Sequence, residues 1–176
     1  MRITIMGSHG TGKTTLAKAL AKKLHFRYIH DVVREEAVKK GFTINENTPP
    51  EVQLWLLLRQ WELEVTTPEG WVADKSLFDY LVYGDLILKD EIAKKIIRWF
   101  IQRNAHYDFV FYLPIEFPME DDGIRSVSPE FRESIDRLFR KCLDEFAVKY
   151  ITLSGSVEER IKKALTHIKK KRSFKK

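Results

Sequence analysis

The sequence has almost no cysteine and no long hydrophobic run, and each absence excludes a class of protein. Among 176 residues there is one cysteine, Cys142, so neither an internal disulfide scaffold nor a Cys-rich zinc module is expected. The densest apolar stretch, Leu54 to Leu58, is far shorter than the ~18 residues that a membrane-spanning helix needs. The chain enters a strand-like run directly after Arg2, which leaves no space for a signal peptide. We therefore expect a soluble, cytoplasmic protein with no membrane partner.

Acidic residues are missing from the C-terminal end, and this absence explains the charge of the chain. The net charge is +6, and residues 169–176 contain six basic residues and no acidic one. The other residues carry 25 basic and 25 acidic side chains, so the body, residues 1–168, is neutral. We expect one domain over residues 1–168 and a basic tail over residues 169–176, typical of a solvated helix end. Contact of this tail with nucleic acid is a less favoured interpretation.

Short apolar runs alternate with longer segments of helical periodicity. Five runs are typical of buried strands, at residues 2–6, 26–30, 71–73, 108–113 and 149–153. Helical periodicity or helix-start and helix-stop signals mark residues 13–24, 31–40, 51–65, 77–88, 91–104, 130–146 and 157–170. This alternation predicts the α/β class, a five-stranded parallel sheet covered by helices on both faces. Ligands of such sheets bind at the carboxyl ends of the strands, so residues that follow a strand are site candidates.

Glycine is scarce, yet three of the eight glycines lie within six residues after the first strand. The segment GSHGTGKT, residues 7–14, matches the P-loop pattern, in which backbone N–H groups and a helix N-terminus surround phosphates. Lys13 would supply a cation to the β- and γ-phosphate oxygens, and the Thr14 hydroxyl would ligate Mg²⁺. We expect the side chain of His9 to point to solvent. The predicted nucleotide-binding residues of the loop are Gly7, Ser8, His9, Gly10, Thr11, Gly12, Lys13, Thr14 and Thr15.

An acidic residue ends the third predicted strand. The run WVAD, residues 71–74, places Asp74 where a carboxylate would hold Mg²⁺ through water or accept a proton from a substrate. The alternative is that Asp74 caps the helix that begins near Leu77.

The motifs together resemble the nucleoside- and nucleotide-kinase branch of P-loop proteins. The resemblance rests on the N-terminal P-loop, the DKS triplet at residues 74–76 and an arginine-bearing excursion after the fourth strand. Lys75 departs from the arginine that this branch usually has. The chain is more specifically similar to the ribosylnicotinamide-kinase domain of bifunctional NAD-biosynthesis regulators. That similarity rests on DVVREE, DFVFYL, DDGIRS, LFRKCLDEF, KYITLSG and VEERI, at residues 31–36, 108–113, 121–126, 138–146, 149–155 and 157–161.

The resemblance implies ATP and Mg²⁺ as cofactors and assigns roles around an acceptor hydroxyl. Asp31 is the first candidate for the base that takes the proton, with Asp74 as the second, although Asp31 is also a good helix N-cap. Arg34 is a candidate contact to the substrate or its phosphate. Gly155, after the fifth strand, is where this branch packs the adenine.

The excursion over about residues 114–128 is expected to be a lid. Its Arg125, together with Arg132 in the following helix, is expected to close over the phosphates, since a planar guanidinium binds two phosphate oxygens. Asp122 would repel ATP, so it is expected to face the acceptor hydroxyls. The predicted fold is thus a three-layer α/β/α P-loop fold with a lid excursion.

Three functions remain open on the sequence. The favoured one is an ATP-dependent kinase acting on a hydroxyl of a nucleoside-like small molecule, ribosylnicotinamide or a nucleoside. The alternatives are a partner-stimulated regulatory NTPase and a polynucleotide 5′-hydroxyl kinase that docks through the basic tail. The apolar helix at residues 51–65 is expected to pack on the sheet, or to be shared between the acceptor pocket and a homodimer contact.

Overall fold

The computed structural model describes residues 1–30, 32–44, 47–116 and 129–173. Five strands form one sheet: β1 (Arg2–Met6), β2 (Arg27–Ile29), β3 (Trp71–Asp74), β4 (Phe109–Tyr112) and β5 (Tyr150–Thr152). The helices of this part of the chain are α1 (Lys13–Leu24), α2 (Val32–Lys39), α3 (Pro50–Thr66), α4 (Leu77–Ile87), α5 (Glu91–Asn104), α6 (Pro129–Glu145) and α7 (Val157–Ser173).

The sheet is entirely parallel, with the strand order β2-β3-β1-β4-β5. Strand β1 lies in the centre, with Ile5 opposite Asp74 of β3 and Met6 opposite Tyr112 of β4. This register brings the carboxyl ends of the three central strands to one edge. The predicted five-stranded parallel sheet is confirmed. Strands β2, β4 and β5 each lack one residue at either end of the predicted range.

Buried hydrophobic residues cover both faces of the sheet in the described part of the chain, which makes the fold three layers thick. On one face, α1 and α7 cover Ile3, Ile5 and Phe111. On the other face, α3, α4, α5 and α6 form a larger core with Met6 and Tyr112. Burial on both faces explains why the central strands read as continuous apolar runs rather than alternating ones.

The long helices follow the signals of the sequence closely. Helix α3 starts with Pro50 in its first turn, where the missing N–H has no helical partner in any case. Helix α5 is capped by Asp90, whose carboxylate accepts from the backbone N–H groups of Ile92 and Ala93. Within the described ranges, no helix combines the length and the hydrophobicity that crossing a membrane requires.

Candidate active site

The candidate site lies at the sheet edge where β1, β3 and β4 end. The loop that follows β1 connects to α1 through three glycines with positive φ: Gly7 at 142°, Gly10 at 69° and Gly12 at 87°. A Cβ on Gly7 would lie 2.4 Å from the carbonyl oxygen of Leu113, so this position accepts no side chain without a backbone shift. A glycine at position 7 is therefore required by the close passage of this loop over the end of β4.

The ammonium group of Lys13 lies within the curve of the loop. Its Nζ donates to the carbonyl oxygens of Gly7 at 2.8 Å and Ser8 at 2.7 Å. These contacts hold a positive charge in front of the N-terminus of α1, whose first backbone N–H groups have no helical acceptor. A charge and a set of donors converging on one point make a binding site for an anion such as a phosphate.

The side chains of Ser8 and Thr11 are turned into the protein. Ser8 Oγ donates to the backbone carbonyl of Arg132 at 3.2 Å, and Thr11 Oγ1 donates to the carbonyl of Ser8 at 2.9 Å. Both residues are almost completely buried. Their side chains therefore shape the loop from inside the protein.

Two arginines from helices that are distant in sequence donate hydrogen bonds to backbone carbonyls of the loop. Arg132 of α6 donates from Nε to the carbonyl of His9 at 3.0 Å and from Nη2 to that of Gly10 at 3.1 Å. Arg160 of α7 donates from Nη1 to the carbonyl of Thr11 at 2.7 Å. The carbonyl oxygens of His9, Gly10 and Thr11 are therefore held by arginines, whereas those of Gly7 and Ser8 accept from Lys13.

The side chain of His9 does not point to solvent as predicted. It is buried, with 7% of its surface exposed. The sequence-based expectation was wrong because it ignored α6, whose Arg132 binds the backbone of the same residue. Arg132 itself is buried against the loop, and its predicted role over the phosphates stays a prediction.

Thr14 and Asp74 meet although 60 residues separate them. Thr14 Oγ1 donates to Asp74 Oδ2 at 2.5 Å, and the hydroxyl of Tyr28 donates to the same oxygen at 3.3 Å. A hydroxyl and a carboxylate are hard oxygen ligands of the kind that Mg²⁺ prefers. No cluster of three acidic, histidine or cysteine side chains suited to a metal exists in the described ranges. A site with two protein oxygens fits Mg²⁺, which takes its remaining ligands from phosphates and water.

Asp74 is free of the helix-capping role that the sequence left open. The N-cap of α4 is Ser76, which forms a capping box with Asp79. Asp79 Oδ2 accepts from both the backbone N–H and the hydroxyl of Ser76, at 2.8 Å and 2.9 Å. Burial raises the pKa of Asp79 to about 6, against the opposing charges of Lys13 and Lys75. The DKS triplet is thus divided between the site, through Asp74, and the start of α4, through Ser76.

The buried Glu64 is connected by hydrogen bonds to the first residue of α4. Glu64 of α3 accepts from Gln60 at 3.0 Å and from the hydroxyl of Tyr107, whose oxygen in turn accepts from the backbone N–H of Leu77 at 2.9 Å. Burial raises the pKa of Glu64 to about 8, only partly offset by these hydrogen bonds. The chain of contacts links α3 to the start of α4, directly after the DKS triplet.

Several predicted site residues are not part of the described structure. Asp31, Asp122 and Arg125 lie outside the described residues, as does the lid from residue 117 to 128. The backbone of Arg34 is in α2, but its side chain is not described. Gly155 lies in the turn between β5 and α7, with φ of 94°. These assignments stay predictions.

The structure adds polar residues that the sequence did not single out. The hydroxyl of Tyr28 lies 3.3 Å from His30 Nδ1, and His30 Nε2 lies 3.0 Å from Glu35 Oε1, next to the predicted base position. Arg59 of α3 binds Glu36 of α2 through two hydrogen bonds of 2.7 Å and 2.8 Å. The clue in the sequence was the position of these residues around the end of the second strand, but no motif marked them.

Fold and site together define a class: a P-loop domain with the fold of nucleoside and nucleotide kinases. A family model described as an AAA domain matches residues 2–160, so the chain belongs to that family. This confirms the P-loop protein that the motif at residues 7–14 predicted.

Comparison with solved structures gives the same fold. A deoxyadenosine kinase from M. mycoides, solved with dCMP and dCDP, has a TM-score of 0.73 at 16% identity, covering 97% of this chain and 99% of that one. A NadR protein in complex with NR has a TM-score of 0.73 at 23% identity, over 88% of this chain and 45% of that one. The thymidylate kinase of Candida albicans has a TM-score of 0.70 at 17% identity, over 97% and 91%.

A curated relative matches over a short segment only. The cytidylate kinase of Archaeoglobus fulgidus is 50% identical over 48 residues, which are 26% of this chain and 27% of that protein. The chain therefore aligns with about a quarter of the length of this relative.

Proposed function

We propose that the protein is an ATP-dependent kinase that phosphorylates a hydroxyl of a nucleoside-like small molecule, either ribosylnicotinamide or a nucleoside. The observation that carries this proposal is the contact between Thr14 Oγ1 and Asp74 Oδ2, 2.5 Å apart, while the residue before Thr14, Lys13, holds its ammonium group within the P-loop. Thr14 and Asp74 could hold a metal ion, and Lys13 could bind phosphate oxygens at the same edge of the sheet. Phosphoryl transfer requires both kinds of group. The deoxyadenosine kinase and the NadR protein complexed with NR, both of similar fold, support the acceptor class.

In the proposed reaction, the P-loop backbone and Lys13 hold the triphosphate of ATP with its γ-phosphorus towards the acceptor. Thr14 and Asp74 would hold Mg²⁺, which neutralises charge between the β- and γ-phosphates when bound. The remaining protein groups orient the nucleotide, with Gly155 beside the adenine and Arg132 behind the loop. In the predicted lid, Arg125 would approach the γ-phosphate and keep water from the phosphorus.

The acceptor hydroxyl attacks the γ-phosphorus in line with the leaving oxygen. The bond between that phosphorus and the β,γ-bridging oxygen breaks, ADP leaves, and the hydroxyl proton passes to the carboxylate of Asp31. Arg34 and Asp122 would bind the acceptor, through its developing phosphate and its sugar hydroxyls respectively. Asp74 is the alternative base. It could accept the hydroxyl proton in addition to holding Mg²⁺.

The experiment is an acceptor screen with the purified chain and Mg·ATP. The panel contains ribosylnicotinamide, nucleosides, nucleoside monophosphates and short oligonucleotides with 5′-hydroxyl ends. We expect ADP to form only with ribosylnicotinamide or a nucleoside, in equal amount to a phosphorylated product. Formation of ADP without an acceptor would favour a regulatory NTPase, and product from oligonucleotides alone would favour a polynucleotide kinase.

The matched variants are Lys13→Ala and Lys22→Ala, both in α1. The first removes the cation of the P-loop and is expected to abolish transfer without loss of helical content. The second removes an exposed charge from the last turn of the same helix and is expected to leave transfer unchanged.

A further inference from the structure

Arg160 of α7 connects segments of the site that are distant in sequence. Its side chain is almost fully buried. One terminal nitrogen, Nη1, donates to the carbonyl of Thr11 in the P-loop at 2.7 Å. The other, Nη2, donates to Glu116 Oε2 at 2.5 Å, so a single planar guanidinium spans two segments.

Glu116 extends this connection to the turn after β5. It lies four residues beyond the end of β4, and its carboxylate accepts from the backbone N–H of Gly155 at 3.0 Å. Burial by itself raises the pKa of Glu116, but hydrogen bonds from Arg160 and Gly155 outweigh it, so the pKa is lowered. The carboxylate is therefore ionised at neutral pH and pairs with a full positive charge.

The turn has a positive-φ glycine and a local hydrogen bond of its own. Gly155 has φ of 94°, and a Cβ there would lie 2.3 Å from the carboxylate of Glu159. That carboxylate accepts from the backbone N–H of Ser156 at 2.7 Å, which fixes the start of α7. Glu116 and Arg160 together connect the backbone of Gly155 in this turn to the backbone of Thr11 in the P-loop.

The burial of Arg160 makes its contacts sensitive to small changes. Charge-assisted hydrogen bonds are shorter and stronger than neutral ones, and a buried charge that loses its partner is costly. A lysine in place of Arg160 has one ammonium group and cannot reproduce the planar fork that reaches Thr11 and Glu116 together. Loss of the carboxylate charge leaves the guanidinium buried beside a neutral group.

We propose that Arg160 and Glu116 are positioning residues that set the spacing between the P-loop and the β5–α7 turn. The pair contacts no reacting atom and acts through the backbone of Thr11 and Gly155. A nucleotide that occupies both segments, with phosphates at one and its base at the other, depends on this spacing. A bare triphosphate occupies the P-loop alone and does not. The inference rests on the proposed function, in which the turn at Gly155 faces the base.

The test compares binding of Mg·ATP and of inorganic Mg·triphosphate by calorimetry, using the full chain. We expect Glu116→Gln to weaken ATP binding by ~10-fold and triphosphate binding by less than ~2-fold. Arg160→Lys is expected to show the same selective loss to a smaller extent, because it keeps the positive charge. Glu158→Gln, an exposed residue of the same helical turn, is the matched control and is expected to change neither affinity. Thermal unfolding checks that each variant is folded.

If the variants lose affinity equally for Mg·ATP and Mg·triphosphate, or lose none for either, the inference is overturned. A change in spacing would weaken the binding of ATP more than that of triphosphate. If Glu116→Gln does not fold, Arg160→Lys decides by the same ratio of the two affinities. A wild-type protein that binds the triphosphate as tightly as ATP would refute the inference and leave the kinase proposal standing. A wild-type protein that binds neither ligand would refute both.

Discussion

At the scale of single residues, the account depends on two carboxylates with different tasks. Asp74 contacts Thr14, whereas Asp31 is assigned the proton only by prediction. We expect Asp74→Asn to lower the transfer rate on the order of 100-fold and to raise the Mg²⁺ concentration needed for half-maximal rate. Asp31→Asn is expected to lower the rate by at least ~100-fold with an unchanged Mg²⁺ dependence.

Steady-state rates over a range of Mg²⁺ concentrations measure both effects, and the exposed Asp144→Asn is the control. If only Asp74→Asn loses activity, the proton acceptor is not Asp31.

Glu64 gives a second prediction at this scale, concerning stability and pH. Its folded-state pKa of about 8 lies above the usual value for a glutamate, so the folded protein holds a proton that the unfolded chain releases. Stability is then greatest below the unfolded pKa and falls as pH rises towards 8. We expect Glu64→Gln to flatten this decline in the free energy of unfolding between about pH 5 and pH 8.

Denaturant titrations at several pH values measure it, with the exposed Glu62→Gln of the same helix as control. Equal pH dependence in wild type and Glu64→Gln would show that Glu64 is ionised in the folded protein.

Sequence reasoning predicted those residues of the candidate site that belong to a motif, and the structure brings Thr14 and Asp74 into contact. Lys13, Thr14 and Asp74 were predicted because a P-loop and an acid after a strand have fixed spacing relative to local structure. The pairing of Arg160 with Glu116 was missed since it spans 44 residues, and the segment VEERI, which contains Arg160, gave no sign of a partner. Contacts of this kind depend on how helices pack, which the local sequence does not encode.

At the scale of elements, the loop after β1 is the one most constrained by its surroundings. We expect Gly7→Ala to destabilise the protein more than Gly41→Ala, by about 1–3 kcal/mol. Both glycines have positive φ, 142° and 74°, but a Cβ at Gly7 meets the Leu113 carbonyl whereas one at Gly41 meets nothing within 4 Å. Chemical denaturation of the two variants isolates the effect of the contact, and equal destabilisation would contradict it.

Helix and strand positions were predicted well where periodicity was strong. Helix α5 begins and ends at the predicted residues, 91 and 104, because one apolar face and a capping aspartate mark it. Strands β2, β4 and β5 were each predicted two residues too long, since an apolar run does not indicate where a strand ends.

At the scale of the whole molecule, the C-terminal helix ties the basic end of the chain to the sheet. Helix α7 continues to Ser173, past the predicted start of the tail at residue 169. Lys171 Nζ donates to the carbonyl of Asp108 at 2.8 Å and lies 4.9 Å from the ring centre of Phe109. We expect Lys171→Ala to lower the free energy of unfolding by about 1 kcal/mol.

Thermal or chemical unfolding measures this change. The neighbouring exposed Lys170→Ala, which removes the same charge, is expected to stay within about 0.5 kcal/mol of the wild type. Equal effects of the two substitutions would mean that charge alone, and not the contact with β4, is responsible.

The fold as a whole was predictable because each strand is a short apolar run followed by a helix, a pattern with few alternatives to a parallel sheet. The strand order was not predicted from these runs; it follows from how the helices pack on the two faces.

The central claim is that the loop at residues 7–14 holds the triphosphate of a magnesium nucleotide. Calorimetric titration of Mg·ATP into the wild-type chain and into Lys13→Ala tests it directly. We expect saturable binding at one site per chain in the wild type and a loss of that binding in the variant. An absence of binding in a folded wild-type protein, or equal affinity in Lys13→Ala, would contradict the account.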